Sequence, residues 1–144
     1  MFNWDIVRQF LFSGIFIKAA WTTLWIAVIS QVFGVIIGLF LALMRMSRHR
    51  WLSLPARFYI WIFRGSPLLV QLLLLYFGIP EIFPALVPYI TVYTAALLAF
   101  SFNEGAYMAE IVRAGITSVD PGQMEAAKSL GMRFALAMRR MASA

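Results

Sequence analysis

The sequence predicts an all-α protein built of polytopic membrane helices. An uncharged apolar run covers 24 residues from Trp21 to Met44. Two further apolar stretches follow, at about Phe58 to Phe77 and Thr91 to Arg113, and basic residues gather in the segments beside these runs. A 24-residue helix is about 36 Å long and crosses a hydrocarbon core of about 30 Å with some tilt. Composition agrees, with 62% hydrophobic residues against 12% charged in a chain of 144. Soluble domains are near half apolar and a quarter charged, and small ones bury the smallest share of their surface, so lipid is the natural solvent for the excess.

Residues 1–18 mix Phe2, Trp4, Ile6, Val7, Phe10, Leu11 and Ile15 with Asp5, Arg8 and Gln9. That pattern suits an amphipathic helix in the outer interface, or an early turn of the first span. The first span is too long for a signal-peptide core. Within it Gly34 and Gly38 form a G-x-x-x-G, which permits close backbone approach to another helix of this chain or of a second copy.

The second stretch contains Arg64, Pro67 and Gln71. Pro67 lacks a backbone donor and crowds the carbonyl of Phe63, which predicts a kink. The third carries Asn103 and Glu104 inside its apolar region and Glu110 near its end. Counted along straight helices from Arg57 and Arg113, Arg64 lies about 10 Å deep and Glu104 about 13 Å deep. A charge in the membrane is costly unless paired, so the count predicts an Arg64–Glu104 pair, structural or part of a gate. Gln71 and Asn103 either line a polar path or hydrogen-bond between helices. Glu110 and Arg113, three residues apart on one face, predict a local ion pair.

Basic residues stay on the cytoplasmic side of a membrane. Arg8 and Lys18 precede the first span; Arg45, Arg48, Arg50 and Arg57 follow it; residues 78–90 have none; Arg113, Lys128, Arg133, Arg139 and Arg140 close the chain. Nine therefore fall on the inner side and two on the outer, which puts the N-terminus outside and the C-terminus in the cytoplasm. The same placement explains the net charge of +6 without nucleic acid. With no cysteine, disulfides and Cys-based metal or redox sites are excluded, and His49 reads as a solvated residue of a basic loop. No span holds paired carboxylates or a nucleophile with its base, so an enzyme is disfavoured.

The segment from Ser118 to Gly131 predicts a short cytoplasmic helix with both ends marked. Asp120 caps it, Pro121 suits the first helical position, Gln123 completes a capping box, and Gly131 ends it in a left-handed conformation. A helix of about ten residues is marginal alone in water and needs something packed on it.

Three blocks of sequence carry a resemblance. Glu125-Ala126-Ala127, three residues and then Gly131 resembles the start of the EAA loop of ABC importer permeases. Arg64-Gly65-Ser66-Pro67-Leu68-Leu69-Val70-Gln71 resembles the R-G-[TS]-P-L-L-V-Q segment of the polar amino acid branch, and Gly105 to Ile116 resembles a further block of it. The likeness extends over about Trp21 to Arg140. It implies a partial permease domain over residues 1–144, with three spans of a five-helix fold. It further implies a subunit of an ATP-driven amino acid importer in a bacterial inner membrane, with the translocation path formed near Arg64, Gln71, Asn103 and Glu104. Gly122, Glu125, Ala126, Ala127 and Gly131 would form the coupling segment that seats on a separate ATPase subunit. The implied partners are that ATPase, a second permease subunit, the same or a sibling, and a periplasmic amino acid-binding protein, besides membrane lipid. ATP would be bound by the partner, since this chain has no G-x-x-x-x-G-K-[ST] loop and calls for no cofactor or metal of its own. The family pattern is lost at Met141 to Ala144, which predicts a truncated or frameshifted chain and, as the alternative, a remnant that does not transport. The transported amino acid is not fixed by these motifs.

Overall fold

The structure, a computed structural model, describes residues 13–118 without interruption, together with residues 4, 7, 122, 125, 127, 129–133 and 136. Every regular element among them is helical. Helix α1 is Gly14–Met46, α2 Arg50–Gly65 and α3 Leu68–Leu73. A π-helical turn, Leu74–Gly78, joins α3 to α4, Ile79–Ile82, and a short 3-10 turn, Pro84–Leu86, leads toward α5, Val92–Thr117.

Ser13 starts α1 by accepting the amide of Phe16 on its hydroxyl at 3.3 Å. The helix therefore begins seven residues before Trp21, and residues 14–18 are its first turns rather than the end of an interfacial segment. Trp4 and Val7 are helical; the rest of residues 1–12 lies outside the described set. Thr22 and Thr23 donate their hydroxyls to the carbonyls of Lys18 and Ala19 at 2.9 and 3.0 Å, so the helix satisfies its own polar side chains. Among the described residues, α1 is long and apolar enough to cross a membrane, and α2 to α4 pass the same test only as a pair taken across their bend. Helix α5, with 26 residues, has the length but carries Glu104, Glu110 and Arg113.

The core is made of small residues. Ser30, Gly34, Gly38 and Ala42 recur every fourth position of α1 and are buried, as are Ala95, Ala99, Ser101, Gly105, Ala106 and Ala109 on α5. No large side chain is fully buried among the described residues, while Phe33, Phe40, Trp61, Phe77 and many others face outward. Large apolar groups outside and small ones inside is the arrangement of helices packed in lipid, where close backbone contact replaces the hydrophobic effect. The G-x-x-x-G of α1 is used within the chain: a Cβ at Gly34 would lie 2.5 Å from Cγ of Glu104, and one at Gly38 would overlap Cβ of Met108. Leu41, Ala42, Ala56, Ile60 and Ala109 then join α2 to the α1–α5 pair.

The stretch Phe58 to Phe77 is not one helix. Helix α2 ends at Gly65, and α3 leaves it at an angle of 105°. Pro67 disfavours helical geometry at the residue before it, and Ser66 is extended at φ −110° and ψ 143°. The expected kink is thus a full change of direction. Thr91 opens α5 in a reciprocal capping box with Thr94, one residue inside the predicted start of that stretch.

Candidate functional site

Three groups of polar residues lie on this frame. The first closes the break between α2 and α3. Pro67 leaves the carbonyl of Phe63 without its usual donor, and two side chains replace it: Gln71 Nε2 at 2.9 Å and Asn103 Nδ2 at 3.2 Å. Gln71, buried, also donates to the carbonyl and the hydroxyl of Ser66 at 3.1 and 2.9 Å, and Asn103 reaches Gln71 Oε1 at 3.4 Å. Tyr59 donates its hydroxyl to the Phe102 carbonyl at 2.9 Å, and the Phe63 ring stands edge-on to that of Phe102 at 5.8 Å. Both side chains bond between helices and hold the bend to α5, and Asn103 in addition borders the cleft described below.

The second group centres on Glu110. One of its oxygens meets Arg45 from the last turn of α1 and Arg64 from the last turn of α2, the latter at 3.1 Å. The other accepts from Arg113 Nε at 2.9 Å, the local pair expected from sequence. Arg64 also lies over the Tyr107 ring, its Cζ 5.5 Å from the centroid. One carboxylate, 19% exposed, thus ties three helical segments together. The expected Arg64–Glu104 pair is not formed. The depth count gave the level of each charge but not the face it occupies: Glu104 is turned to Gln31 and Gly34 of α1, whereas Glu110 faces Arg45 and Arg64 in the last turns of α1 and α2. Glu104 and Glu110 are six residues apart and so point about 120° apart around α5. From sequence Arg45 reads only as a topology signal; its place at the C-terminal end of the first span, with Glu110 toward the C-terminal end of the third, is the clue to its partner.

The third group lines a cleft of about 450 Å³ between α1, α3 and α5, formed by Thr23, Ser30, Gln31, Leu68, Asn103 and Glu104 with apolar neighbours. Glu104 accepts from Gln31 Nε2 at 3.1 Å. Ser30 Oγ is buried without a hydrogen-bond partner among the described residues. Of the predicted path residues, Asn103 and Glu104 line this cleft, Gln71 braces the bend behind it, and Arg64 belongs to the Glu110 group instead. No cluster of metal-binding side chains occurs among the described residues.

Beyond α5, residues 122, 125, 127 and 129 are helical. Gly131 has φ 76°, and the Met132 amide reaches back to the Ala127 carbonyl at 3.0 Å, a Schellman ending with the left-handed glycine expected from sequence. Glu125 and Leu130 are exposed, while Ala127 is buried in the chain at 7%. Asp120, Pro121, Gln123, Ala126 and Lys128 lie outside the described residues, as do Arg139 to Ala144.

Residues 34–142 match the family model described as binding-protein-dependent transport system inner membrane component. The chain belongs to this family. The match runs from Gly34 on α1 through the bend and the Glu110 group to the Gly131 segment. An arginine transport system permease protein of Corynebacterium glutamicum is 41% identical over 96% of this chain and 47% of its own length. An octopine transport system permease protein of Rhizobium meliloti is 47% identical over 81% of this chain and 49% of its own. A solved structure described as an amino acid ABC transporter with histidines superposes with a TM-score of 0.71 at 49% identity, covering 82% of this chain and 53% of that one. The chain spans about half the length of the curated relatives it matches. The all-α fold agrees with that of the solved relative, and the family consists of membrane components of transport systems rather than enzymes.

Proposed function

We propose that this chain forms the membrane-spanning part of a permease subunit in an ATP-driven importer of polar amino acids. The observation that supports this best is the family match over residues 34–142, which takes in the packed helices and the Gly131 segment together. Relatives named for arginine and octopine transport favour a cargo that carries an amino-acid zwitterion and further polar groups. The cleft beside Gln31, Ser30, Asn103 and Glu104 offers donors and acceptors for such a cargo. A second permease subunit would complete the path, and an external binding protein would deliver to it.

Coupling would pass through the segment ending at Gly131. Bulk added at Ala127 would disturb this chain itself, since that side chain is buried. Leu130, 77% exposed, is the better probe. Tagged chain purified with importer ATPase subunits is expected to retain one of them, and Leu130→Glu to lower the bound fraction at least tenfold, a loss of about 1.4 kcal/mol. Gly131→Val should weaken retention as well, because a β-branched residue resists the left-handed conformation. If Leu130→Glu retains the ATPase as well as the parent does, docking does not use this segment.

The inner-side reading of the basic segments predicts the orientation. A cysteine at Ser53 would be a poor reporter, because Ser53 is buried. Exposed Arg48 and Ala85 serve instead. In this Cys-free chain an impermeant thiol reagent added to intact cells should label Ala85→Cys and not Arg48→Cys; the reverse labelling overturns the orientation.

A further inference from the structure

On the basis of the permease reading above, we infer from the lining of the cleft between α1, α3 and α5 that it takes the cationic end of a basic amino acid, a guanidinium or an ammonium, on the carboxylate of Glu104. Glu104 lies against Gly34, well inside the apolar run of α1 from Trp21 to Met44. A carboxylate at that depth is costly unless it meets a cation or water. Among the described residues it forms no ion pair, and its partner is the neutral amide of Gln31 at 3.1 Å. No basic side chain lines the cleft among the described residues, and three arginines of the bundle are taken up by Glu110 instead.

The polar groups of the cleft are short of donors and rich in acceptors. The amide nitrogen of Gln31 is engaged on Glu104, and that of Asn103 on the Phe63 carbonyl and on Gln71 Oε1. Among the described residues, Gln31 Oε1, Asn103 Oδ1 and the second oxygen of Glu104 are left without a donor. Ser30, which lines the cleft and is 3% exposed, has an Oγ with no partner there. A buried polar atom without a partner is costly, so a ligand that reaches it is favoured. A guanidinium or an ammonium offers donors only, which is what this set of acceptors lacks.

Size and walls favour an organic cation over a metal ion. The volume of about 450 Å³ is that of a small-molecule pocket. Leu68 and Phe100 line it beside the polar groups and suit the methylene stem of a basic side chain. A metal ion needs several oxygens converging on one point, and no group of metal-binding side chains occurs among the described residues. Without a positive group of its own, the cleft has nothing to hold the α-carboxylate of the cargo. It therefore reads the side chain and leaves the carboxylate to another part of the path.

Arginine and citrulline give the test, because citrulline has the same length with a neutral urea in place of the guanidinium. Binding to the purified chain in mild detergent is measured by titration calorimetry. Arginine should bind at least about tenfold more tightly than citrulline, a difference of about 1.4 kcal/mol or more. Agmatine, which lacks the carboxylate, should bind as tightly as arginine. Glu104→Gln should bring arginine down to the level of citrulline, Glu104→Asp should keep part of the preference, and Ser30→Ala should weaken arginine. Glu81→Gln, which removes an exposed carboxylate outside the cleft, should leave the preference intact. Equal affinity for arginine and citrulline overturns the proposal and leaves a permease for polar amino acids standing. A preference that survives Glu104→Gln, agmatine bound no better than citrulline, or no binding of any of the three overturns the site as well. The comparison of ligands on the parent chain is decisive even if a variant fails to fold. Retention of an ATPase subunit, measured separately, reports on the permease reading itself.

Discussion

Replacing Glu110 with glutamine is expected to destabilise the chain by about 2–4 kcal/mol. Breaking a buried ion pair by removing one partner costs about 3–5 kcal/mol, and the partial exposure of this cluster lowers the figure. Glutamine keeps the size of the side chain and one acceptor but leaves Arg45, Arg64 and Arg113 together without their common anion. The three arginines come from α1, α2 and α5, so the loss is felt at every junction of the bundle. The matching change Glu104→Gln should cost less than about 1 kcal/mol, because Gln31 can still donate to an amide oxygen. Thermal unfolding in mild detergent, followed by circular dichroism, compares the two. Adding Arg45→Gln to Glu110→Gln should recover stability by removing one stranded charge. Equal losses from Glu104→Gln and Glu110→Gln would mean that Glu110 is not the shared anchor.

Gly38→Leu is expected to force α1 and α5 apart. A Cβ at Gly38 would overlap that of Met108 and lie 3.0 Å from both the Ala109 amide nitrogen and the Gly105 carbonyl oxygen. Two of these neighbours are backbone and the third is a Cβ fixed to it, so none can swing aside. Overpacking of this kind costs about 1–3 kcal/mol for small additions, and leucine adds three carbons beyond the Cβ, so a loss of about 3 kcal/mol or more is expected. Cysteines at Leu41 and Ala109, which share one cluster, provide the readout: they should cross-link in the parent and not beside Gly38→Leu. Gly115→Leu is the control, since a Cβ there meets nothing within 4 Å and leucine favours a helix over glycine. Efficient cross-linking in the Gly38→Leu chain would show that the two helices do not depend on this contact.

Much of the frame is legible residue by residue because its causes are local. The apolar run of α1 needs only its own composition. Pro67 announces a break because the missing donor and the restriction on Ser66 act within a few residues. Gly131 ends its helix because no side chain obstructs the left-handed conformation. The paired threonines Thr91 and Thr94 also act locally, yet they escaped notice because neither is followed by the acidic or amide residue that usually completes a capping box.

By itself, then, the sequence determined that this is an all-helical membrane chain, where its helix-breaking residue lies, and the three blocks that mark its family. Only the tertiary structure decided which charges meet. Arg64 reaches Glu110 rather than Glu104 because Glu104 faces Gln31 and Gly34 on α1 while Glu110 faces the last turns of α1 and α2, and no local signal sets which face of α5 meets α2. Depth counted along a helix gives the level of a charge but not the direction in which it points. Six residues along α5 separate the two carboxylates by about 9 Å and about 120° around the axis, enough to exchange one ion-pair partner for another.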